Sequence, residues 1–291
     1  MLSKSFFSLL ITAFVFQGSL GSPVETTGAV QLNTNYISPD QVTELTWYFK
    51  YASSAYIPFN ACPKPNGQTF VTRISNIVTD TQGYIARDDT RKEIIVVFRG
   101  STSPEDFIIT DGNIPLVPFL SPGLSAPGDV RVHSGFLIAW NSVATTVIDA
   151  VKQQLIGRNG YTIVTVGHSL GGSLASLSAM AMKSNFPDVK VRMYTYGQPR
   201  TGNPDYANWV NVLFGTGKAY RVTHTTDPVP HLPEQFMGYA HHGTEYWISH
   251  DPADSYSIVS CNPSGEDPTC ANSVPLITTA LLLTAHLNVS S

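Results

Sequence analysis

Short apolar runs alternate along this chain with longer segments whose apolar side chains recur at helical spacing. In residues 39–54 such positions are Val42, Leu45, Tyr48, Phe49 and Ala52. Ser38 is placed to cap this helix, and Pro39 suits its first turn. Residues 139–155 repeat the spacing, so the pattern predicts a helix in each segment.

Runs rich in β-branched and aromatic residues predict the strands. They cover residues 69–78, 83–88, 93–99, 161–166, 189–196, 219–225 and 246–248. Strands and helices alternate through the middle of the chain, which is typical of an α/β protein with a largely parallel central sheet. No repeat or linker divides the chain, so a single domain is expected over residues 22–291.

Residues 1–21 are predicted to be a secretory signal peptide. Lys4 supplies a positive charge, residues 6–16 form an apolar stretch too short to span a bilayer, and small residues at 19 and 21 suit a cleavage site. The mature, secreted chain is expected to begin near Ser22. A membrane anchor is the alternative, but the small residues and the short apolar stretch disfavour it. No later apolar run is long enough to span a bilayer, so stable membrane insertion is not expected.

Composition excludes one class of partner and predicts one crosslink. The net charge of −4 gives no electrostatic case for nucleic-acid binding. The three cysteines are Cys62, Cys261 and Cys270, and a secreted chain meets an oxidising compartment. Cys261 and Cys270 flank a turn-rich segment, so they are expected to pair and leave Cys62 over. No C-x-x-C spacing is present, so no metal site is expected.

Residues 164–173, V-T-V-G-H-S-L-G-G-S, combine a strand end, a sharp turn and a helix start. Residues 167–171 fit G-x-S-x-G, the nucleophile elbow. A serine hydroxyl becomes a nucleophile when a base takes its proton and a tight turn exposes it. Gly167 and Gly171 remove Cβ atoms where strand and helix crowd together. Ser169 is therefore the predicted nucleophile, and a chance match in a glycine-rich loop is the alternative.

A nucleophilic serine needs a histidine base and an acid, which follow it along the chain in α/β-hydrolases. Asp227 comes just after the strand predicted at 219–225, so it is expected at the carboxyl edge of the sheet beside Ser169. A simple turn residue before Pro228 is the alternative. The base remains open at this point, because the histidines after Ser169 are His224, His231, His241, His242, His250 and His286.

Six ordered motifs resemble the secreted filamentous-fungal lipases of the class 3 lipase family, which also contains feruloyl esterases. They are I-V-V-F-R-G-S (95–101), V-H-S-G-F (132–136), V-G-H-S-L-G-G (166–172), Y-G-Q-P-R-T-G-N (196–203), D-P-V-P-H-L-P (227–233) and E-Y-W-I (245–248). Their order and spacing agree over residues 36–286. The resemblance implies an α/β-hydrolase fold, with a mostly parallel central sheet, a nucleophile elbow and a helical lid, and no cofactor.

The resemblance also implies roles for individual residues. Ser169 matches the nucleophile, Asp227 the triad acid, and His286, in the sequence A-H-L, the triad base. Ser101 matches an oxyanion-hole residue, and the backbone N–H of Leu170 is the second donor. If His286 is not the base, the next candidates are His242 and then His241, neither of which has the A-H-L setting.

Other residues of the motifs are expected to have structural roles. Arg99 is expected to tie loops together near the sheet edge, and His133 to pack at the base of the elbow. His168 is expected to point away from the hydroxyl of Ser169. The turn at residues 197–200 is expected to shape the acid side of the site.

Residues 100–128 carry five prolines and no clear periodicity, and a connection of this length is usually functional. Its start matches the lid of the lipases, in which Pro104 suits the first turn of a short helix. Phe107 and Ile108 give that helix an apolar side, which would cover the site in water and turn toward lipid. An ordinary loop is the alternative. The apolar residues 115–120 are expected to line an acyl groove.

These expectations describe a secreted serine carboxylic-ester hydrolase. A lipase is the first hypothesis: a monomer that cleaves acylglycerols at an oil–water interface through an acyl-enzyme, without metal or cofactor. A feruloyl or secondary-metabolite esterase is the alternative within the same chemistry. An inactive binding protein on the same fold is the alternative outside it.

Overall fold

The protein is built around a central β-sheet, seen in a computed structural model that describes residues 35–58, 61–101 and 115–274. The strands of that part of the chain are β1 (Thr69–Asn76), β2 (Thr81–Asp88), β3 (Glu93–Phe98), β4 (Leu116–Pro118), β5 (Leu120–Ser121), β6 (Leu124–Ser125), β7 (Arg131–His133), β8 (Thr162–His168), β9 (Val191–Tyr196), β10 (Ala219–His224), β11 (Glu245–Ile248) and β12 (Ile258–Ser260). The helices are α1 (Pro39–Ser54), α2 (Ser134–Asn141), α3 (Ala144–Leu155), α4 (Leu170–Asn185) and α5 (Pro204–Phe214). The predicted signal peptide lies outside the described residues.

The sheet has eight strands in the spatial order β1-β2-β3-β8-β9-β10-β11-β12. Strands β3, β8, β9, β10 and β11 are parallel, whereas the pairs at both edges are antiparallel. The predicted α/β fold with a mostly parallel sheet is therefore confirmed. Because the carboxyl ends of the parallel strands meet at one edge, the residues that follow β3, β8, β9 and β10 gather there.

Both faces of the sheet are covered. All six residues of β3 are buried, as expected for a parallel strand between two layers. Ile94, Val96 and Phe98 belong to the core that contains residues of α2, α3 and α4. Ile95 and Val97 belong to the opposite core, which contains residues of α1. Alternate residues of this central strand thus fill two hydrophobic layers.

Helix α1 begins and ends where the spacing predicts, and the Ser38 hydroxyl accepts a hydrogen bond from the Gln41 N–H at 3.2 Å. The single helix predicted at 139–155 is wrong, because α2 and α3 are separate helices bent by 51°. The Ala139 carbonyl accepts hydroxyl hydrogen bonds from Thr81 and Ser142. The Val143 N–H bonds to the Trp140 carbonyl instead of to Ala139, so the α-helical ladder is interrupted there.

Among the described residues, no single helix has both the length and the apolar character needed to cross a bilayer. The bent pair α2 and α3 meets that test only by combined length and composition.

The predicted disulfide between Cys261 and Cys270 is confirmed, and Cys62 is a half-buried free cysteine. Helix α5 and strand β12 were not among the predicted elements. The start of α5 nevertheless carries a local signal, since Asn203 caps it and Pro204 occupies its first turn. Strand β12 has only three residues and pairs with β11. A strand this short leaves little periodicity to detect.

Asn203 is expected to contribute more stability than an ordinary helix cap. Its side-chain oxygen accepts N–H groups of Tyr206 and Arg131, each at 3.0 Å, and its amide donates to the Asp129 carbonyl at 2.8 Å. We expect Asn203→Ala to lower the free energy of unfolding by about 2 kcal/mol, measured by urea denaturation. Asn159→Ala, at an exposed turn position, is the control. Equal midpoints for the two variants would contradict this account.

Candidate active site

Ser169 lies between the end of β8 and the start of α4, in a strained backbone conformation with φ 56° and ψ −130°. L-residues rarely adopt positive φ, and such strain persists only where the surroundings impose it. Here the Ser169 N–H donates to the Tyr196 carbonyl at 2.8 Å, and the Ser169 carbonyl accepts the Gly172 N–H at 2.8 Å. Both sides of the residue are therefore fixed by backbone hydrogen bonds.

Two glycines make this turn possible by letting backbones approach closely. A Cβ on Gly167 would lie 1.9 Å from the Gly171 carbonyl oxygen. A Cβ on Gly171 would lie 2.3 Å from the carbonyl oxygen of Phe98, the last residue of β3. The two glycines therefore allow β8, α4 and the end of β3 to contact one another, as predicted from the sequence.

The Ser169 side chain is buried, with 2% of the residue exposed. Its Oγ has no hydrogen-bond partner among the described residues. A buried hydroxyl without a partner is costly, so positions of this kind are characteristic of functional sites. The N–H of Leu170 lies directly beside it in the first turn of α4, where N–H groups have no intrahelical partner and the helix dipole favours negative charge.

Asp227 follows β10 and accepts the Val229 N–H on its Oδ1 at 3.0 Å, while its own N–H donates to the His224 carbonyl at 2.9 Å. The turn-residue interpretation of Asp227 is thus structurally accurate, but it accounts for only one carboxylate oxygen. No hydrogen bond to Oδ2 is found within the described residues. Burial raises the pKa of this carboxyl above its ordinary value.

Gly197 lies between Asp227 and the elbow. It has φ +56°, and a Cβ at this position would lie 2.9 Å from Asp227 Oδ2 and 3.7 Å from His168 Nε2. Gly197 follows Tyr196, whose carbonyl accepts the Ser169 N–H. The carboxylate of Asp227 and the backbone of Ser169 therefore flank the same strand end, as the order of strands predicts.

A cavity of about 430 Å³ opens beside Asp227. Leu45 and Phe49 of α1 and Val222 and Ile248 of the sheet give it an apolar wall. Asp227 and His168 are among its polar groups. Asp227 thus borders open volume as well as packed protein.

The end of β3 brings the region of Ser101 to the elbow. A Cβ on Gly100 would lie 2.7 Å from the His168 carbonyl oxygen and 3.0 Å from the Ser169 Cβ. Ser101 is the next residue and is half-buried. Both predicted oxyanion residues, Ser101 and Leu170, are therefore within one residue of the contact between β3 and the elbow.

Tyr56 links three elements at this edge. Its hydroxyl hydrogen-bonds to His168 Nδ1 at 2.8 Å and accepts the Gly100 N–H at 3.1 Å. His168 therefore has a structural partner, in agreement with the expectation from the sequence, and burial lowers its pKa below the ordinary value. Tyr56 is not among the predicted site residues. Its position just beyond the end of α1 gives no local indication of a contact with the elbow.

The two reserve candidates for the base are held in structural hydrogen bonds. His241 Nε2 contacts the Pro230 carbonyl at 2.7 Å, and His242 Nδ1 contacts the Gly243 carbonyl at 2.9 Å. Burial lowers the pKa of both imidazoles, that of His242 to about 4. Neither has a hydrogen bond with Asp227 or Ser169 in the described part of the chain. His286 lies outside the described residues.

The remaining histidines near the edge also have partners. His224 Nε2 contacts Asp251 at 3.0 Å, and its Nδ1 contacts the Thr225 hydroxyl at 3.0 Å. His133 caps α2 by accepting the Phe136 N–H, and its ring stacks on Phe136 with centroids 3.8 Å apart. The packing role expected for His133 agrees with this geometry.

Arg99 donates to Gln82 at 3.0 Å and to Asp80 at 3.2 Å, so it does tie neighbouring loops together. The predicted lid residues Pro104, Phe107 and Ile108 lie outside the described residues.

Within the described residues, one group of side chains is of the types, and close enough together, to hold a metal ion: Cys261, Asp267 and Cys270. Its sulfurs are joined in the disulfide and are not thiolates. Asp267 accepts the backbone N–H groups of Asn262 and Thr269. This grouping is therefore structural.

A mostly parallel sheet with a strained serine turn between strand and helix defines the α/β-hydrolase class. A model of the class 3 lipases matches residues 95–237. A secreted mono- and diacylglycerol lipase of Fusarium solani is 33% identical over 267 residues, which cover 87% of this chain and 77% of the relative. The chain therefore belongs to the class 3 lipase family.

Solved structures agree with this assignment. A lipase from Rhizopus microsporus var. chinensis superposes with a TM-score of 0.74 at 31% identity, covering 87% of this chain and 91% of that one. A triacylglycerol lipase described as having a serine protease triad at its catalytic centre superposes with a TM-score of 0.73 at 30% identity. That match covers 83% of this chain and 94% of the other.

We expect Tyr56→Phe to destabilise the junction of β3, the elbow and the end of α1. The substitution removes one hydroxyl and leaves the Gly100 N–H and His168 Nδ1 without it. The free energy of unfolding should fall by about 1–2 kcal/mol, measured by urea denaturation. Tyr256→Phe is the matched control, because that residue is 77% exposed. A Tyr56→Phe variant as stable as the control would show that this bridge contributes nothing.

Proposed function

We propose that this protein is a secreted serine hydrolase that cleaves acylglycerol esters. The observation that carries the proposal is the buried, strained Ser169 at the amino end of α4, with Asp227 across Gly197 from the same elbow. Membership of the class 3 lipase family supports ester hydrolysis. The names of the relatives, mono- and diacylglycerol lipase and triacylglycerol lipase, support lipid esters as the substrate class.

In the proposed mechanism Ser169 Oγ attacks the acyl carbonyl while His286 takes the hydroxyl proton. His286 then donates that proton to the leaving alcohol, and water hydrolyses the acyl-enzyme by the reverse sequence. Asp227 holds the imidazole in orientation through Oδ2. This assignment gives the Ser169 hydroxyl the partner that the described residues do not supply, and it uses the carboxylate oxygen that does not accept the Val229 N–H.

The oxyanion is proposed to be stabilised by Ser101 and by the N–H of Leu170. The Leu170 N–H belongs to the first turn of α4, whose dipole favours developing negative charge. Ser101 is fixed beside the elbow through Gly100. A donor fixed before the reaction requires no reorganisation in the transition state, which is why such donors accelerate acyl transfer.

The proposed site of action is an oil–water interface, with the protein as a monomer. Two exposed apolar side chains are Leu120, 71% exposed, and Phe236, 83% exposed. A Cβ on Gly238 would lie 3.5 Å from Leu116, so the turn after Phe236 contacts the segment that begins β4. Exposed apolar side chains suit contact with lipid, with residues Pro104, Phe107 and Ile108 as the proposed lid.

The proposed domain organisation is a signal peptide over residues 1–21 followed by one hydrolase domain over residues 22–291. The apolar stretch at 6–16 and the small residues before Ser22 support removal on export. The disulfide fits an extracellular location, because such bonds persist in oxidising compartments. The relative from Fusarium solani is itself named a secreted lipase.

We expect Ser169→Ala to abolish turnover of p-nitrophenyl esters and labelling by a fluorophosphonate probe. The substitution removes the only atom that forms the acyl-enzyme in this mechanism. Ser178→Ala, a buried serine of the same helix, is the control and should retain both signals. Undiminished turnover by Ser169→Ala would refute the mechanism, and an unlabelled wild-type protein would favour a binding protein.

We expect His286→Ala and Asp227→Asn each to lower kcat by about 10⁴-fold or more, because both act on the same proton transfer. His224→Ala is the control for the base, since His224 borders the same cavity but pairs with Asp251. Esterase rates would be measured on folded protein of each variant. A loss in His224→Ala with an active His286→Ala would move the base to His224.

The substrate class is tested by a panel of triolein emulsion, monoolein and methyl ferulate. We expect hydrolysis of the acylglycerols at least about 100-fold faster than of methyl ferulate, because the relatives are named as mono- and diacylglycerol and triacylglycerol lipases. Initial rates at matched ester concentration measure this. Faster cleavage of methyl ferulate would replace the lipase proposal with a phenolic esterase on the same triad.

A further inference from the structure

Arg200 lies directly behind the segment that follows Asp227. Only 3% of the residue is exposed. Its Nη1 donates to the carbonyl oxygens of His231 and Pro233, the latter at 3.0 Å, and its backbone N–H donates to the Leu232 carbonyl at 2.8 Å. One residue thus holds three consecutive carbonyl groups at the end of the acid-bearing turn.

That turn is short and internally bonded. Residues Val229–His231 form a single 3-10 turn, and the His231 N–H donates to the Pro228 carbonyl at 3.0 Å. The Pro230 carbonyl also contacts His241 Nε2 at 2.7 Å. A displacement of the carbonyls of residues 231–233 would therefore be transmitted across one turn to Asp227.

Glu266 holds the other edge of the Arg200 guanidinium. Nε contacts Oε1 at 2.7 Å and Nη2 contacts Oε2 at 2.9 Å, the bidentate arrangement that fixes orientation as well as distance. The carboxylate also accepts the His241 N–H at 2.8 Å and side-chain amides of Gln235 at 2.8 Å and Asn272 at 2.9 Å. Its hydrogen-bonding capacity is thus well used.

The charge state of Glu266 follows from these partners. Burial opposes ionisation, but the hydrogen bonds and charge of Arg200 hold the pKa of Glu266 below its ordinary value of 4.5. A lowered carboxyl pKa means that the stabilisation is present above pH 4.5 and is lost as the pH falls through the lowered value. At neutral pH Glu266 is therefore ionised.

Glu266 belongs to the loop closed by the Cys261–Cys270 disulfide. The Gly265 carbonyl accepts Arg221 Nη2 at 2.7 Å, and a Cβ on Gly265 would lie 2.2 Å from the His241 carbonyl oxygen. The loop is therefore anchored to the buried interior directly before Glu266.

We propose that Glu266 and Arg200 form a clamp that positions Asp227, with the disulfide loop as its fixed support. The proposal rests on the proposed role of Asp227 as the triad acid. Arginine is required, because only its planar fork serves two carbonyl groups and a carboxylate at once. Glu266 and Arg200 are positioning residues, since they act on the reaction only through the place of Asp227.

The test uses Arg200→Lys and the milder Glu266→Gln in the full-length secreted protein. We expect kcat per fluorophosphonate-titrated site to fall about 10–100-fold for a displaced catalytic group, with KM changed by less than about two-fold. The double variant should lose no more than Arg200→Lys alone, because both changes break one unit. Titration of active sites removes any misfolded fraction from the comparison.

Arg192→Lys is the matched control. Arg192 also donates to carboxylates, Glu44 at 2.8 Å and Glu93, but lies at the opposite end of β9 from Gly197. It should lower the midpoint of thermal unfolding and leave kcat per titrated site unchanged. Unchanged kcat in both Arg200→Lys and Glu266→Gln, or an equal loss in Arg192→Lys, would overturn the clamp. Full activity of Asp227→Asn would instead overturn the proposed role of Asp227 as the triad acid.

Discussion

The backbone strain at Ser169 is the constraint on which the rest of the site depends. A positive φ at a serine is unfavourable, and it persists because the Tyr196 carbonyl, the Gly172 N–H and the Phe98 carbonyl all meet the elbow from different elements. The parallel order of β3, β8 and β9 brings those elements to one edge. The order of strands in the sheet therefore holds Ser169 in this unfavourable backbone conformation.

Residues with local signals were predicted well from the sequence. Helix α1, the central strands and the elbow each have a periodicity or a motif within a few residues. Asp227 was placed beside the elbow because strand order fixes where a strand ends. The break between α2 and α3 is not predicted, because one of the two hydroxyls on the Ala139 carbonyl, that of Thr81, comes from a strand distant in sequence.

The supporting residues around the site could not be inferred from local pattern for the same reason. Tyr56 is 112 residues from His168, and Arg200 is 66 residues from Glu266. Tyr56 and Glu266 each resemble an ordinary surface residue until the fold brings the partners together, whereas Arg200 lies in the motif at residues 196–203, which predicts only a turn on the acid side of the site. Gly197 is an intermediate case, because its motif was visible, whereas its closeness to Asp227 Oδ2 required the structure.

The buried ion pairs around the site and the Ser169 hydroxyl differ in their hydrogen bonding. The buried ion pairs near the acid, Arg200 with Glu266 and Arg221 with Glu245, lie behind the turn and have multiple hydrogen-bond partners. The Ser169 hydroxyl, by contrast, has none among the described residues. Buried charges that are hydrogen-bonded favour one rigid arrangement, whereas the Ser169 hydroxyl is left for the proposed base, which activates it. We therefore expect that weakening one of these ion pairs lowers kcat before it unfolds the protein.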